Sequence, residues 1–379
     1  MKRVMFYVQH LLGIGHVVRS TRMAKALAAG GFDVSLVCGG PPIAGLDAGW
    51  AKIVQLPPVT AGDSGFSDLV DQAGAPLTDA GKAARCAALL AQFEAIQPDV
   101  LLIEAFPFGR RQMRFELLPL LERAVAAKPR PLIACSVRDI LQQERRPGRA
   151  EGYAELVERY FDLVLVHGDP ALATFGASYP LADRIARKIR YTGMVGPGKL
   201  APAGEQHDVI VSAGGGAVGE GVLRAALAAR PLSRLAKARW LVVTGPNMPA
   251  AMAAQWQGPD DSGVTLARFL PDLPARLTGA QLSISQAGYN TIADILAARC
   301  RAVLVPYDLG GETEQTQRAG LLQARGLAQV VTASGLDGAG MARAMDAALE
   351  MPTRAAGVNL GGAERTGEIL GGAVMRRLR

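Results

Sequence analysis

The sequence predicts an α/β protein with two domains, each built on a parallel β-sheet. Short apolar runs recur along the chain, and each is followed by a polar or glycine-bearing loop and then by a helical pattern. Of the 379 residues, 49% are hydrophobic and only 5% are aromatic, which suits helices packed on parallel sheets better than an aromatic-rich sandwich. The length fits two α/β domains of roughly 150–200 residues each.

The charge balance favours anionic partners other than nucleic acid. Lys and Arg number 41 against 34 Asp and Glu, giving a formal net charge of +7, which attracts a phosphorylated substrate or an anionic membrane surface. The arginines are dispersed and are not interleaved with aromatic residues, so no nucleic acid is expected as a partner.

The cysteines and the hydropathy pattern predict a cytoplasmic protein. The four cysteines are widely separated and form no CxxC pair, which is typical of small buried residues in a reducing compartment and predicts neither a metal site nor a disulfide framework. No apolar run approaches the ~18 residues of a membrane span, and no signal peptide is completed at the amino terminus. We therefore expect at most a peripheral contact with the inner face of a membrane.

The first half of the sequence alternates strands and helices. The predicted helices cover 16–30 and 79–96. The segment Pro57–Thr78, rich in Gly, Pro, Asp and Ser, predicts a long loop, and Arg190–Asp208 has the composition of an interdomain linker. The predicted strands are Arg3–Val8, Val34–Cys38, Lys52–Leu56, Asp99–Glu104, Leu132–Ser136 and Asp162–Val166.

The second half repeats this architecture without repeating the sequence. We expect an amino-terminal domain over 1–195, a carboxyl-terminal domain over 206–360, and a basic helix over 361–379 that returns to the first domain. The helices predicted in the second domain are Glu220–Arg230, Ala250–Trp256 and Gly338–Glu350. Its predicted strands are Val209–Ser212, Trp240–Thr244, Val264–Ala267, Gln281–Ser285, Arg301–Pro306 and Ala328–Val331.

Glycine loops follow the first strand of each domain. Gly214, Gly216 and Gly219 match G-x-G-x-x-G between a strand and a helix, but the next strand ends at Thr244 without the carboxylate that would hold a ribose hydroxyl of NAD. The first loop, Gly13–His16, lacks a third glycine. Both loops have backbone amides that can cradle phosphate, but neither is followed by the carboxylate that is specific to NAD binding. The alternative is that these glycines only allow tight turns.

The polar loops of the second domain carry a family resemblance. The segments Ser285–Asp294, Val305–Pro306 and Glu314–Ala319 together resemble the donor-site signature of family 28 glycosyltransferases, which include the enzymes that glycosylate the lipid intermediate of peptidoglycan. Gly13–His16 and Gly214–Gly216 fit the same family, so the resemblance covers both halves. It is similar above all to the bacterial "predicted glycosyltransferase" group, and it implies the GT-B fold, in which two Rossmann-like parallel-sheet domains face one another across a cleft.

The resemblance implies that the second domain binds a nucleotide sugar, most simply a UDP-sugar, with no metal and no cofactor. Backbone amides and helix amino termini would neutralise the diphosphate. Asp294 would bind the ribose, and Glu314 and Gln315 the hexose; the alternatives are an exposed helix Asp and a solvated helix start with acidic residues. The implied donor residues are Gly214, Gly215, Gly216, Arg268, Phe269, Leu270, Gly288, Asn290, Asp294, Glu314 and Gln315, with Gln317 as an auxiliary.

The catalytic base is expected from the first domain. An acceptor hydroxyl must lose a proton as it attacks the anomeric carbon, and a base with a pKa near neutrality serves that step. His16 in the glycine loop is the leading candidate, Glu104 and Asp139 at strand ends are rivals, and a capping histidine is the alternative for His16. The residues expected to bind the acceptor are Gly13, Gly15, Arg110, Arg111 and Arg138. The three arginines form a basic rim together with Arg114, and the alternative for this rim is a solvated helix face.

The function that follows is transfer of a hexosyl group from a UDP-sugar to an acceptor hydroxyl that the sequence does not identify. Two alternatives stay open. An epimerase or hydrolase of UDP-sugars would use the same donor domain, with Glu104, Asp139 and Glu314 as acid–base groups. A nucleotide-sugar-binding protein without turnover would need the donor domain alone.

Overall fold

The computed structural model describes two compact units, Met1–Val195 with Gly361–Arg379, and Gly196–Leu360. The described residues are 1–377 apart from 12, 44, 63–64, 143–147, 203, 216–218, 246–247, 249–262 and 354, with backbone only at 65–67 and 310. Each unit has its own parallel sheet and its own buried core.

The first unit is built on a seven-stranded parallel sheet. Its strands in chain order are β1 (Lys2–Val8), β2 (Phe32–Cys38), β3 (Lys52–Gln55), β4 (Thr60–Gly62), β5 (Gly65–Val70), β6 (Val100–Glu104), β7 (Leu132–Arg138), β8 (Leu163–His167) and β9 (Ile189–Tyr191). The order in the sheet is β3-β2-β1-β6-β7-β8-β9. The central strand, β6, is fully buried, as expected where helices cover both faces. The helices of this unit are α1 (Gly15–Ala29), α2 (Asp79–Ile96), α3 (Arg114–Ala126) and α4 (Arg149–Tyr160).

Two segments of the first half differ from the prediction. The region Pro57–Thr78 is not only a loop, because β4 and β5 pair in it as an antiparallel hairpin, and the Ala61 amide donates to the Leu11 carbonyl in the loop after β1. The predicted linker begins with β9, which pairs with β8. Both elements are short, and neither has enough alternating positions to give a strand pattern in sequence.

The second unit is built on a six-stranded parallel sheet. Its strands are β10 (Val209–Ser212), β11 (Trp240–Val243), β12 (Val264–Ala267), β13 (Leu282–Gln286), β14 (Arg301–Val305) and β15 (Gln329–Val330). The order in the sheet is β12-β11-β10-β13-β14-β15. The described helices are α5 (Glu220–Ala229), α6 (Leu273–Leu277), α7 (Tyr289–Ala298), α8 (Glu314–Ala324) and α9 (Gly338–Leu349). The helix predicted over Ala250–Trp256 lies outside the described residues.

The last helix, α10 (Gly362–Arg377), packs against α1 in the first unit. A Cβ on Gly362 would lie 2.4 Å from the Gly193 carbonyl oxygen, so the close approach at its start requires glycine. At the other end, Arg377 donates to the Pro131 carbonyl at 2.9 Å and forms an ion pair with Asp162. Across the described residues, no helix has the length and apolar character needed to cross a membrane.

Candidate functional site

A cluster of buried polar side chains lies where β6, β7 and β8 end. His16 is the second residue of α1, and its Nδ1 lies 3.0 Å from Oε1 of Glu104, the last residue of β6. Arg19, one turn along α1, contacts the same carboxylate oxygen. The Glu104 and Arg19 side chains are 0% and 2% exposed, whereas that of His16 is 17% exposed, so the imidazole is the member of this group that solvent reaches.

The charges of this group follow from its neighbours. Burial alone would raise the pKa of Glu104, but Arg19 and hydrogen bonds from His16 and Ser136 outweigh it and hold that pKa well below its usual range. Burial and the positive charge of Arg110 lower the pKa of His16, although Glu104 opposes them. At neutral pH the carboxylate is therefore ionised and the imidazole neutral. An ionised carboxylate only accepts, so Nδ1 of His16 donates and Nε2 is left as the accepting nitrogen.

Two further arginines act on His16. Arg110, in a left-handed conformation at φ 58°, donates from Nε to the Gln9 carbonyl at 2.7 Å. Burial and the like charge of Arg138, at the end of β7, lower the pKa of Arg110 to about 10. Arg138 also lowers the pKa of His16. Guanidinium groups that disfavour one another electrostatically are a natural place for an anion to bind.

The remaining sequence-predicted residues of this unit lie apart from that cluster or at its border. Gly13 and Gly15 are exposed at the start of α1, whose amino-terminal cap, Ile14, makes no side-chain hydrogen bond. Arg111 is exposed and begins a short 3₁₀ turn. Asp139 is 1% exposed, accepts from the Ile140 amide at 2.9 Å and packs on Gly168, where a Cβ would lie 2.3 Å from the aspartate Cβ.

The glycine loop of the second unit contains an exposed glycine and a tightly packed one. Gly214 has φ 61°, and its amide donates to Ser212 Oγ at 3.3 Å. Gly215, next in the loop, is partly exposed, whereas Gly216 lies outside the described residues. A Cβ on Gly219 would lie 2.3 Å from the Ala213 Cβ, so the tight-turn interpretation holds for this last glycine.

The start of α7 has a glycine where many helices have a capping side chain. Gly288 makes no side-chain hydrogen bond to the helix, and a helix amino terminus carries partial positive charge that attracts an anion. Three residues earlier, the Ser285 hydroxyl is buried and has no hydrogen-bond partner within the described part of the chain. Asn290 and Asp294 are half-buried and lie four positions apart, so they share one face of α7.

The start of α8 differs from a solvated helix end. Glu314 is 3% exposed and forms an ion pair at 2.9 Å with Arg318, which is fully buried. The Arg318 guanidinium lies over the Tyr289 ring, 5.5 Å from its centroid. Gln315 accepts from the Tyr307 amide at 3.1 Å. Arg318 and Tyr289 were missed from the sequence, although the i, i+4 spacing of Glu314 and Arg318 was a usable signal.

The segment after β12 presents backbone and one aromatic ring. The Arg268 carbonyl accepts from the Gly245 amide at 3.0 Å. Phe269 is 46% exposed, and Leu270 is half-buried. Among the described residues there is no group of three or more His, Cys, Asp or Glu side chains placed to hold a metal ion.

Sequence comparison identifies a family match within the second unit and relatives that align with part of the chain. The model of the glycosyltransferase family 28 C-terminal domain matches residues 209–360. Two relatives share the printed name UDP-N-acetylglucosamine–N-acetylmuramyl-(pentapeptide) pyrophosphoryl-undecaprenol N-acetylglucosamine transferase. The protein from Desulfitobacterium hafniense is 31% identical over 104 residues, 27% of each chain, and that from Brucella anthropi is 35% identical over 89 residues, 24% of each chain. The aligned part thus spans about a quarter of these relatives.

Structural comparison extends over the whole chain. Acinetobacter baumannii MurG has a TM-score of 0.61 at 17% identity, covering 98% of this chain and 100% of that one. The calicheamicin glycosyltransferase CalG4 has a TM-score of 0.59 at 15% identity, covering 98% and 95%. The spinosyn rhamnosyltransferase SpnG, solved with thymidine diphosphate, has a TM-score of 0.60 at 15% identity over 100% of both chains. The resemblance to family 28 glycosyltransferases is confirmed for residues 209–360, and the chain as a whole has the GT-B fold.

Proposed function

We propose that this protein transfers a hexosyl group from a UDP-sugar to an acceptor hydroxyl, with the second unit binding the donor and the first unit binding the acceptor. The observation that carries the proposal is the His16–Glu104 pair, in which a neutral, partly exposed imidazole is oriented by a buried carboxylate. The family match of residues 209–360 and the names of the relatives, which are UDP-N-acetylglucosamine-dependent transferases, support the donor.

The donor diphosphate would bind at the amino terminus of α7, beside the glycine loop at Gly214 and Gly215. A helix amino terminus carries partial positive charge that suits a diphosphate, and Gly215 in the loop is partly exposed. Asp294, on the same face of α7 as Asn290, would accept hydrogen bonds from the ribose hydroxyls. The backbone at Arg268–Leu270 would meet the base edge, with Phe269 exposed beside it.

The hexose would meet the start of α8. Gln315 keeps its amide nitrogen for a sugar hydroxyl, since its oxygen is taken by the Tyr307 amide. Glu314 is held by Arg318, so we assign it mainly to shaping the site, with one carboxylate oxygen directed by the buried guanidinium.

His16 would act as the general base. Its Nε2 would accept the acceptor's hydroxyl proton while the oxygen forms a bond to the anomeric carbon and the bond from that carbon to the UDP oxygen breaks. The imidazolium so formed would be stabilised by Glu104 at 3.0 Å. Glu104 itself is a poor base, because its pKa is held well below its usual range. Asp139, packed against Gly168, is assigned a structural role.

Arg110 and Arg138 favour an acceptor that carries an anionic group near its reactive hydroxyl, with Arg111 at the exposed edge. Such an anion would offset two of the three arginine charges that lower the pKa of His16, so acceptor binding would make the imidazole a better base. Gly13 and Gly15 would let this acceptor approach the start of α1. The net charge of +7 supports a peripheral contact with an anionic membrane.

The proposal is tested by UDP release with and without acceptors. We expect UDP and a UDP-sugar to raise the melting temperature of the wild type, and Asp294→Ala to abolish that shift, with Asp272→Ala as a control for carboxylate loss elsewhere in the unit. Release of UDP should require an added hydroxyl acceptor and should be lost in His16→Ala. Rapid UDP release or epimer formation without acceptor would favour a hydrolase or epimerase, and no thermal shift with any nucleotide sugar would contradict the proposal.

A further inference from the structure

A continuous row of hydrogen bonds runs from Glu104 across the ends of the neighbouring strands. The Ser136 hydroxyl on β7 contacts Glu104 Oε2. The Ser136 Oγ also lies 2.9 Å from Nε2 of His167, at the end of β8. His167 Nδ1 lies 2.9 Å from the hydroxyl of Thr192, one residue beyond β9. We call Ser136, His167 and Thr192 the strand-end row. All three are at most 1% exposed.

The direction of each hydrogen bond follows from the chemistry of the groups. Glu104 is ionised and only accepts, so the single proton of Ser136 points to it. Nε2 of His167 must then donate to the Ser136 oxygen, which leaves Nδ1 to accept from Thr192. His167 is neutral, because burial and the charge of Arg19 lower its pKa to about 3. Every donor of the strand-end row therefore points towards Glu104.

The row has a second consistent arrangement, with all its protons reversed. If Glu104 were protonated, it would donate to Ser136, Ser136 to Nε2 of His167, and Nδ1 of His167 to Thr192. The Thr192 hydroxyl lies 2.8 Å from the Gly193 carbonyl, which is ready to accept its proton. The observed ion pair of Glu104 with Arg19 selects the first arrangement.

We propose that the strand-end row sets, through Glu104, how strongly His16 holds a proton. A hydrogen bond donated to a carboxylate disperses its negative charge and reduces what that carboxylate offers to its other partners. Ser136 thus takes charge from Glu104 that would otherwise stabilise protonated His16, and His167 and Thr192 strengthen this effect by polarising Ser136. These are positioning residues, since their described hydrogen bonds reach Glu104 and one another and not His16.

Other groups act on the same residues and stay constant in the test. His16 faces Arg19 on its own helix, Glu104 from β6, Arg110 from the following turn and Arg138 from β7. His167 additionally faces Asp139, which raises its pKa against the larger effects of burial and Arg19. None of these charges is altered by a change at Ser136 or Thr192.

The experiment is an NMR titration of the His16 imidazole in the full chain, which needs no substrate. We expect Ser136→Ala to raise the pKa of His16 most, His167→Met to raise it less, and the near-isosteric Thr192→Val least. His167→Gln, which keeps a donor near the position of Nε2, should match the wild type and serves as the control for His167→Met. If Ser136→Ala fails to fold, the other three variants still rank the effect.

The titration tests the effect of the strand-end row on His16 separately from the proposed function. The inference rests on that function only where it assigns the His16 pKa a role in catalysis. An unchanged His16 pKa in Ser136→Ala and His167→Met, even with a lowered melting temperature, would reduce the row to a structural role and overturn the inference. A raised His16 pKa in the variants of a protein without transferase activity would support the effect of the strand-end row on His16 and contradict the proposed function. In an active enzyme, the acid limb of kcat/KM should move to higher pH together with the measured pKa.

Discussion

Replacing Glu104 by Gln should reduce activity and stability together, whereas replacing His16 should reduce activity alone. Glu104→Gln removes the negative partner of Arg19, whose side chain is 2% exposed. Breaking a buried ion pair from one side costs about 3–5 kcal/mol, because the remaining charge is left uncompensated. For a unit of this size, that corresponds to a fall in melting temperature of roughly 6–20 °C.

His16→Ala leaves Glu104 paired with Arg19 and removes a side chain that is 17% exposed. We therefore expect a melting temperature close to that of the wild type and a fall in kcat of roughly 10²–10⁴, the usual contribution of a general base. Glu104→Gln should lower kcat as well, because the imidazole loses the carboxylate that orients it and stabilises its protonated form.

The assays are differential scanning calorimetry and initial rates of UDP release at saturating donor. The matched control is Glu158→Gln, which breaks the solvent-exposed ion pair with Arg184 in the same unit and should leave both measurements nearly unchanged. The reasoning is refuted if Glu104→Gln melts with the wild type, or if His16→Ala retains full kcat.

Three further predictions concern stability and the donor unit. Because the folded-state pKa of His167 is depressed to about 3, its unfolded form binds a proton first, so stability should fall as pH drops from about 6.5 towards 3; His167→Gln should flatten this part of a pH series of urea melts. Glu314→Ala should destabilise the second unit by about 3–5 kcal/mol, because it removes the carboxylate that forms an ion pair with the buried Arg318; limited proteolysis should report this loss, and equal resistance to that of the wild type would contradict it. Gly219→Ala should lower the melting temperature because its Cβ would meet Ala213, whereas Gly320→Ala, in open space within α8, should raise it slightly; the reverse order in a thermal melt would show that the glycine loop is not packed as described.

Much of the α/β architecture could be read from local pattern. A buried strand of a parallel sheet is a short apolar run in sequence, and the loop after it lies at the carboxyl edge. For this reason the sequence predicted the succession of strands along the second unit, beginning with Val209–Ser212. It also placed His16, Glu104 and Gly288 at strand ends or helix starts. The hairpin β4–β5 did not, because pairing between two short irregular segments has no signature in either of them.

What the sequence by itself determined was which residue types stand at the loops of each sheet, and hence the kind of chemistry expected there. Only the tertiary structure decided which of them meet. His16 and Glu104 are 88 positions apart, and the strand-end row joins Ser136 of β7, His167 of β8 and Thr192 just after β9. Side-chain pairing across a sheet depends on the register of neighbouring strands and on burial, and both arise when distant segments pack. The glycine loop after β10 and the polar residues at the starts of α7 and α8 could therefore be predicted from the sequence. The charge state of the proposed base could not, because it is set by arginines that only the fold brings close to it.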